Sequence, residues 1–261
     1  MGNGKFAIVT GASSGIGFEL ARIAASDGYD LLIVADEAEI ERAAEGLRHI
    51  GPTVAAIEAD LGTIEGVDAL LAATNGRTVD IVCANAGTGM GGAFLDLPVE
   101  VWRHGIDTNV TGTLYLLQRA LVDMTRRGSG RVLVTGSIAG YVPGAFNAVY
   151  NATKAFIDNF TEALRNEIKD VEGVTLTTLM PGATETKFFA RADMLDTMVG
   201  QAKKGDPAKV ARDGWDAMMA GEGVIVSGWL NKLQVAASGV APQAVMAEMH
   251  RKLAEPGGGA D

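Results

Sequence analysis

The sequence predicts an α/β fold, a single doubly wound parallel sheet of about seven strands with helices on both faces. Short, nearly continuous apolar runs alternate with longer segments in which apolar residues recur three or four positions apart. Such runs are typical of parallel strands that helices cover on both faces. Connections are short, and no Pro/Ser-rich linker or repeat interrupts the alternation. This favours right-handed βαβ units in one Rossmann-type domain, predicted over residues 1–254.

The boundaries of the elements follow from where each pattern starts and stops. Two helices with wide apolar faces are predicted over Thr108–Thr125 and Asn151–Val171, and a helical stretch over Asn231–Leu253 follows the last strand. Residues 255–261 carry too little apolar surface to order themselves, so a disordered tail is expected. The predicted strands are Phe6–Thr10, Asp30–Ala35, Val54–Glu58, Ile81–Ala84, Arg131–Thr135, Thr175–Leu179 and Gly223–Ser227.

The composition restricts the classes of partner. The 261 residues carry a net charge of −10, which argues against nucleic acid or an anionic membrane as the main partner. No apolar run approaches the ~18 residues of a membrane span, and no signal-peptide layout is present, so a cytoplasmic protein is expected. The only cysteine, Cys83, is predicted to be a buried core residue. The three histidines are scattered without ligand spacing, so no metal site is predicted.

A glycine-rich turn follows the first strand and leads directly into a helical pattern. Its glycines have the spacing Gly-x3-Gly-x-Gly. Glycines let the backbone turn tightly and approach a diphosphate, and the helix N-terminus offers unpaired N–H groups and the positive end of its dipole. Because strand, turn and helix occur in the required order, a dinucleotide site is predicted. Its residues are Gly11, Ser13, Ser14, Gly15, Ile16 and Gly17.

The same turn also fits the Gly-x-Ser-x-Gly pattern of a hydrolase, with Ser13 as the nucleophile. That alternative requires an acid and then a histidine later in the chain. None of His49, His104 and His250 lies in a loop directly after a predicted strand, where a hydrolase of this kind places its base. The dinucleotide site is therefore the preferred interpretation.

Asp36 stands at the end of the second strand, 19 residues after Gly17. An acidic side chain there can bind the ribose hydroxyls of NAD and repels the 2′-phosphate of NADP. No lysine or arginine lies between Gly28 and Ile40 to pair with such a phosphate. NAD is therefore predicted as the cofactor in preference to NADP. Asp36 could also cap the following helix, and the two roles are compatible.

From Lys5 to about Gly228 the chain resembles the short-chain dehydrogenase/reductase family. The resemblance rests on several motifs that occur in the family's order, and it implies an NAD(P)-dependent oxidoreductase. The matching segments are Thr10-Gly11-x3-Gly15-x-Gly17, Asp60-Leu61, Asn85-Ala86-Gly87, Asn109, Ser137, Tyr150-x3-Lys154 and Pro181-Gly182-Ala183-Thr184-Glu185-Thr186.

The resemblance implies a role for each of these residues. Asn109 would anchor a water that links Lys154 to solvent, and Lys154 would also hold the nicotinamide ribose. The pair after the third strand would touch the adenine, and the Pro-Gly segment would hold the nicotinamide amide. Beyond the glycine turn and Asp36, the implied cofactor contacts are Asp60, Leu61, Asn85, Ala86, Gly87, Tyr150, Lys154, Pro181, Gly182, Thr184 and Thr186.

The chain departs from the family pattern at three positions. Ala84 replaces a second asparagine, for which we expect a small loss of local hydrogen bonding and no loss of activity. The acidic residue that favours NAD usually stands one position earlier, where this chain has Ala35. Thr184 replaces an aliphatic residue, without an expected consequence.

Tyr150 and Lys154 also make chemical sense without the family. They are four residues apart in a predicted helix and so share one face. A free tyrosine, with a pKa near 10, is a poor base at neutral pH. A neighbouring ammonium and an oxidised nicotinamide are expected to lower that pKa by about 2–3. Tyr150 would then act as general acid in reduction and general base in oxidation, while Ser137 holds the substrate oxygen.

The substrate is expected to be a medium-sized apolar or aromatic alcohol or ketone. Residues 186–220 correspond to a mobile lid in the family, and its bulky side chains would form an adaptable wall. An ordinary amphipathic helix packed on the core is the alternative for the start of this segment. Lys187 and Arg191 could simply face water. The predicted pocket residues are Ser137, Ala139, Tyr150, Phe188, Phe189 and Met194.

Two further expectations concern assembly and class. Family members pair through the two helices predicted here with wide apolar faces, so a homodimer or homotetramer is expected. The alternative function is a non-catalytic sensor that binds NAD(P) on the same fold. Such a protein has no need of Tyr150 and Lys154, and both are present.

Overall fold

All seven predicted strands form one parallel sheet in the computed structural model, which describes residues 4–239 and 241–259. The strand order is β3-β2-β1-β4-β5-β6-β7, which confirms the predicted doubly wound fold. The order reverses between β1 and β4, and a crevice opens there at the carboxyl ends of the strands. The strands are β1 Phe6–Thr10, β2 Asp30–Ala35, β3 Val54–Glu58, β4 Ile81–Ala84, β5 Gly130–Thr135, β6 Val174–Met180 and β7 Val224–Val226.

The helices cover both faces of this sheet, as the apolar strands require. Side chains alternate between two cores: Val9, Ile33 and Cys83 face one core, whereas Ile8 and Val82 face the other. Cys83 is fully buried, as predicted, and burial raises the pKa of its thiol to about 12. The helices are α1 Gly15–Ser26, α2 Glu39–Arg48, α3 Ile64–Ala72, α4 Val99–Ile106, α5 Thr113–Arg127, α6 Ala148–Glu167, α7 Phe188–Arg191, α8 Met198–Gln201, α9 Pro207–Ala220, α10 Trp229–Ser238 and α11 Gln243–Ala254.

Two of the predicted helices differ from those observed. The helix expected from Thr108 begins as a π-helical turn, Asp107–Gly112, which joins α4 to α5. A π turn adds a residue to the helical repeat and is frequent at functional sites. The stretch expected over Asn231–Leu253 is two helices, with Pro242 as the N-cap of the second. Proline has no N–H to continue a preceding helix, which explains the break.

Part of the predicted tail lies within the described residues. Residues 255–259 form turns against the loop before α8. The N–H of Gly257 donates to the Asp196 carboxylate at 2.7 Å, and the N–H of Gly259 donates to the Asp196 carbonyl at 2.9 Å. The remaining predicted tail residues, 260–261, lie outside the described residues. Within the described chain, no helix is long and apolar enough to cross a membrane.

Candidate active site

The glycine turn places the N-terminus of α1 at the carboxyl end of β1. Gly11 and Gly15 have φ values of +63° and +58°, which favour glycine. A Cβ at Gly17 would lie 2.1 Å from the Gly11 carbonyl oxygen, so this position also excludes a side chain. No side chain caps α1, whose N-cap is Ser14. The turn therefore forms a close-approach cradle at a helix N-terminus, which suits a diphosphate.

Hydrogen bonds tie the ends of β1, β4 and β5 together beside this turn. The Thr10 hydroxyl accepts from the backbone N–H groups of Asn85 and Ala86 at 2.9 and 2.8 Å. The Asn85 amide donates to the Thr10 carbonyl at 3.2 Å and accepts from the Thr135 hydroxyl at 3.0 Å. The Asn85 amide is thus bonded on both sides, although Ala84 precedes it.

A cavity of about 730 Å³ runs from the glycine turn to the lid segment. This volume lies within the range of small-molecule and cofactor sites. Two predicted residues do not line it: Gly17 packs beneath the turn, and Asn109 lies behind the wall. The predicted residues that line it are Gly11, Ser13, Ser14, Gly15, Ile16, Asp36, Asp60, Leu61, Asn85, Ala86, Gly87, Ser137, Ala139, Tyr150, Lys154, Pro181, Gly182, Thr184, Thr186, Phe188, Phe189 and Met194.

An ion pair beside this cavity joins the loop after β2 to the lid. Glu37 accepts from the Ser13 hydroxyl at 2.5 Å and from the Arg191 guanidinium, and the Lys187 ammonium lies 4.0 Å away. Burial raises the pKa of Glu37, but the bonds from Ser13 and Arg191 outweigh it and lower the pKa overall. From the sequence alone, Lys187 and Arg191 could simply face water. Their partner is 150 or more residues away, so no local pattern indicated it.

Tyr150 and Lys154 lie on one face of α6 and point into the cavity. The Lys154 Nζ is 5.8 Å from the centre of the Tyr150 ring and donates to the Thr135 carbonyl at 2.7 Å. Lys154 is buried. Burial lowers the pKa of Lys154 to about 8, and the Asp158 carboxylate opposes this effect.

The expected lowering of the Tyr150 pKa is not found in the protein alone. Burial raises this pKa to about 12; a hydrogen bond with Ser137 lowers it, and the Asp158 charge raises it further. The prediction assumed both the lysine charge and a bound oxidised nicotinamide; in the protein alone the cost of burying a phenolate dominates. Tyr150 is therefore a neutral phenol, which suits it to donate a proton.

Ser137 is held at the end of β5 as the N-cap of a short 3₁₀ turn, Ile138–Tyr141. Its hydroxyl accepts from the Ala139 N–H at 3.1 Å and lies 3.5 Å from the Pro181 carbonyl. The side chain is buried and lines the cavity next to Tyr150. It can therefore donate to an oxygen that also reaches the phenol.

Asn109 occupies the π turn and supports the wall from behind. Its amide accepts from the Thr88 N–H at 2.8 Å and donates to the Thr88 carbonyl at 2.8 Å and the Thr153 hydroxyl at 3.0 Å. A Cβ at Gly87 would lie 3.2 Å from the Asn109 Oδ1 and 3.5 Å from the Lys154 Nζ. The Asn109 Oδ1 and the Lys154 Nζ thus both lie next to the side-chain position that Gly87 leaves empty.

The lid packs directly on the tyrosine. The Phe188 ring centre is 4.9 Å from that of Tyr150 and 5.3 Å from that of Phe189. Phe189 and Met194 are buried in a small cluster with Ala254 from α11. The bulky residues of this segment therefore form an apolar wall, and the helix that was the alternative for its start is a single turn, Phe188–Arg191.

Several residues that line or support the cavity were not predicted from the sequence, and three of them are the most informative. Thr135 provides the carbonyl that holds Lys154, Trp229 lines the cavity from α10, and His250 lines it from α11. The His250 Nδ1 lies 2.9 Å from the Ala145 carbonyl, and Nε2 lies 3.5 Å from the Asn151 amide. A lone histidine or tryptophan far from any motif carries no local signal. None of the described hydrogen bonds of Ser13 joins it to a histidine, as the hydrolase alternative would need.

The comparisons with known proteins define the class. A sequence model of the short chain dehydrogenase family matches residues 5–197. The chain therefore belongs to this family of oxidoreductases, as the resemblance implied.

Individual relatives cover most of the chain. An uncharacterized oxidoreductase of Staphylococcus epidermidis is 32% identical over 79% of this chain and 87% of its own. A short-chain dehydrogenase from Sphingobium yanoikuyae, solved in complex with NADPH, has a TM-score of 0.79 and 26% identity over 92% and 97% of the two chains. The bulky-bulky ketone specific alcohol dehydrogenase from Comamonas testosteroni has a TM-score of 0.76 and 26% identity over 94% and 98%.

Proposed function

We propose that the protein is a nicotinamide-dependent dehydrogenase that interconverts a secondary alcohol and a ketone. The main support for this proposal is one observation. Ser137, Tyr150 and Lys154 face the same cavity as a glycine turn that can accept a diphosphate. The cofactor supplies or accepts the hydride when it is bound. The non-catalytic sensor has no observation in its favour, because it would not require these side chains.

The residues of the chain supply binding and proton transfer. Ser137 donates to the substrate oxygen and holds it near the Tyr150 phenol. Tyr150, neutral at physiological pH, gives its proton to the oxygen as the alcohol forms and takes it back in oxidation. Lys154 stabilises the phenolate left behind and binds the nicotinamide ribose. Asn109 holds the wall behind Lys154 through Thr88 and Thr153, and a water bound at this wall would return the proton from solvent.

The apolar lid favours a bulky, apolar ketone or alcohol as substrate. Phe188 covers Tyr150, and the buried Phe189 and Met194 continue the wall. The specificity of the Comamonas testosteroni relative for bulky-bulky ketones supports this class. A series of ketones and secondary alcohols of increasing bulk, followed at the nicotinamide absorbance with NADH and NAD⁺, tests the proposal. Turnover of none of them by the folded protein would contradict it.

The proposed cofactor is NAD in preference to NADP. Asp36 is exposed to the cavity at the end of β2, where its charge opposes a 2′-phosphate. The cations that the lid brings to this end, Lys187 and Arg191, are already paired with Glu37. The relative from Sphingobium yanoikuyae was solved in complex with NADPH, so both cofactors must be compared in the binding experiment.

Asp36→Arg should reverse the preference between NADH and NADPH. The change removes a repulsive charge and adds a partner for phosphate, each worth about 1–1.5 kcal/mol, or about 100-fold in the affinity ratio together. Fluorescence titration with both cofactors measures it. Asp170→Arg, on an exposed position outside the cavity, is the matched control for the change of charge. Tighter binding of NADPH than NADH by the unmutated protein would contradict the role of Asp36.

The protein is further proposed to form a homodimer or homotetramer through α5 and α6. Val122 on α5 is 62% exposed and Phe156 on α6 is 45% exposed, and Phe156 stacks on Phe160. Large exposed apolar side chains on neighbouring helices are suited to a subunit interface. Analytical ultracentrifugation distinguishes monomer, dimer and tetramer.

A further inference from the structure

Asp158 is an acidic side chain behind the active site that the proposed reaction does not use. It follows Lys154 by one helical turn and Tyr150 by two, on the same face of α6. Both of its carboxylate oxygens are buried, and neither has a well-formed hydrogen bond among the described residues. A buried carboxylate without such bonds is costly unless a nearby charge or dipole compensates for it.

Two glycines on either side of Ser137 make room for this carboxylate. A Cβ at Gly136 would lie 1.9 Å from the Asp158 Oδ1, and a Cβ at Gly140 would lie 2.5 Å from Oδ2. The Ser137 backbone N–H is close enough to lower the pKa of Asp158. The carboxylate is therefore pressed against the backbone that carries the Ser137 side chain.

The Lys154 ammonium is the positive charge that compensates for the buried Asp158 carboxylate. Burial raises the pKa of Asp158 to about 7, and Lys154 is the first influence that lowers it. In return, Asp158 raises the pKa of Lys154. The ammonium donates to the Thr135 carbonyl, and no ion pair joins it to the Asp158 carboxylate among the described residues, so the two charges influence each other without a direct contact. The other titratable groups that face this region are Tyr150 on α6 and Tyr141 on the 3₁₀ turn, whereas Glu162, one helical turn further, is exposed and influences only Tyr141.

We propose that Asp158 is a positioning residue for the reaction, which holds the Ser137 turn from behind and supplies the negative charge that faces the Lys154 ammonium. The inference rests on the proposed function and adds a residue to it. It accounts for the glycine at position 136 and for a carboxylate that is buried without strong hydrogen bonds, whereas the glycine at position 140 is also required by the Ala155 backbone, 2.9 Å from its Cβ position.

The test is the pH profile of ketone reduction by Asp158→Asn, which keeps the shape and removes the charge. Asp158 raises the pKa values of both Lys154 and Tyr150. Without the Asp158 charge, Lys154 loses its positive charge at a lower pH, and Tyr150 also loses its proton at a lower pH. Both changes impair reduction. We expect the alkaline limb of kcat to move about one pH unit lower, with about a tenfold loss at pH 8. Glu162→Gln, on an exposed part of α6, is the matched control and should leave the limb in place.

A merely structural role would lower kcat at every pH and leave the limb where it is, and that result would overturn the proposal. A second test does not depend on pH. In the protein that keeps Asp158, Gly136→Ala should reduce kcat, because the added Cβ displaces the carboxylate. In the Asp158→Ala background the same change should reduce kcat only slightly. Equal losses in both backgrounds would also overturn the proposal. Absence of turnover in the unmutated protein would instead contradict the proposed function.

Discussion

Tyr150→Phe should reduce kcat by about 10²–10⁴-fold while cofactor binding is retained. The change removes only the phenolic oxygen, so the proton that the substrate oxygen needs must come from water. The ring still packs against Phe188, whose centre is 4.9 Å away, so the wall of the cavity is kept. Steady-state reduction of the best ketone, with a fluorescence titration of NADH on the same variant, measures both effects.

Tyr141→Phe is the matched control for this experiment. Its phenol lies on the 3₁₀ turn next to Ser137, 3.6 Å from the Met180 sulfur, and it does not line the cavity. We expect its kcat to stay within about twofold of the unmutated value, since it makes no contact with the reacting atoms. Comparable activity of the Tyr150 and Tyr141 variants would show that the proton has another source.

Gly17→Ala should abolish tight cofactor binding and destabilise the protein. The added Cβ would lie 2.1 Å from the Gly11 carbonyl oxygen and 2.6 Å from the Asn85 amide nitrogen, so the turn and the end of β4 must separate. Overpacking of this kind lowers the free energy of unfolding by about 1–3 kcal/mol. A loss of at least about tenfold in NADH affinity is expected, equivalent to about 1.4 kcal/mol. Denaturant unfolding and cofactor titration measure the two quantities.

Gly46→Ala provides the control for the loss of a helical glycine. No atom lies within 4 Å of a Cβ at Gly46 on α2. Alanine there should raise the free energy of unfolding by about 0.5–1 kcal/mol, because it restricts the unfolded chain and favours the helix. Unchanged cofactor affinity of Gly17→Ala would show that the turn does not approach a diphosphate.

Local patterns were enough to predict the fold and the positions of the main chemical groups. The bounds of β1 to β4 are those predicted; β1, β2 and β4 are buried on both faces and therefore continuously apolar, whereas β3 is a partly exposed edge strand. The glycine turn follows from spacing alone, and Tyr150 and Lys154 share a face because four residues make about one helical turn. The helices differ from prediction inside the predicted segments, at the π turn around Asn109 and at the break before Pro242, because tertiary packing and the missing proline N–H change the helical repeat there.

Contacts between distant segments were not visible in the sequence. Arg191 pairs with a glutamate 154 positions earlier, and His250 reaches the cavity from α11. Neither contact leaves a periodic or spaced signal, since a single long-range pairing imposes no local pattern.

The sequence by itself determined the strand set, the diphosphate turn and the tyrosine–lysine face, since each depends on neighbours a few residues away. The tertiary structure alone decided the electrostatics. Burial raises the pKa of the Tyr150 phenol. The packing of α6 against the end of β5 places the Asp158 carboxylate behind Ser137. The free energy of a charged side chain depends on its burial and on its distance from other charges. Both quantities are set by which remote segments of the chain pack together.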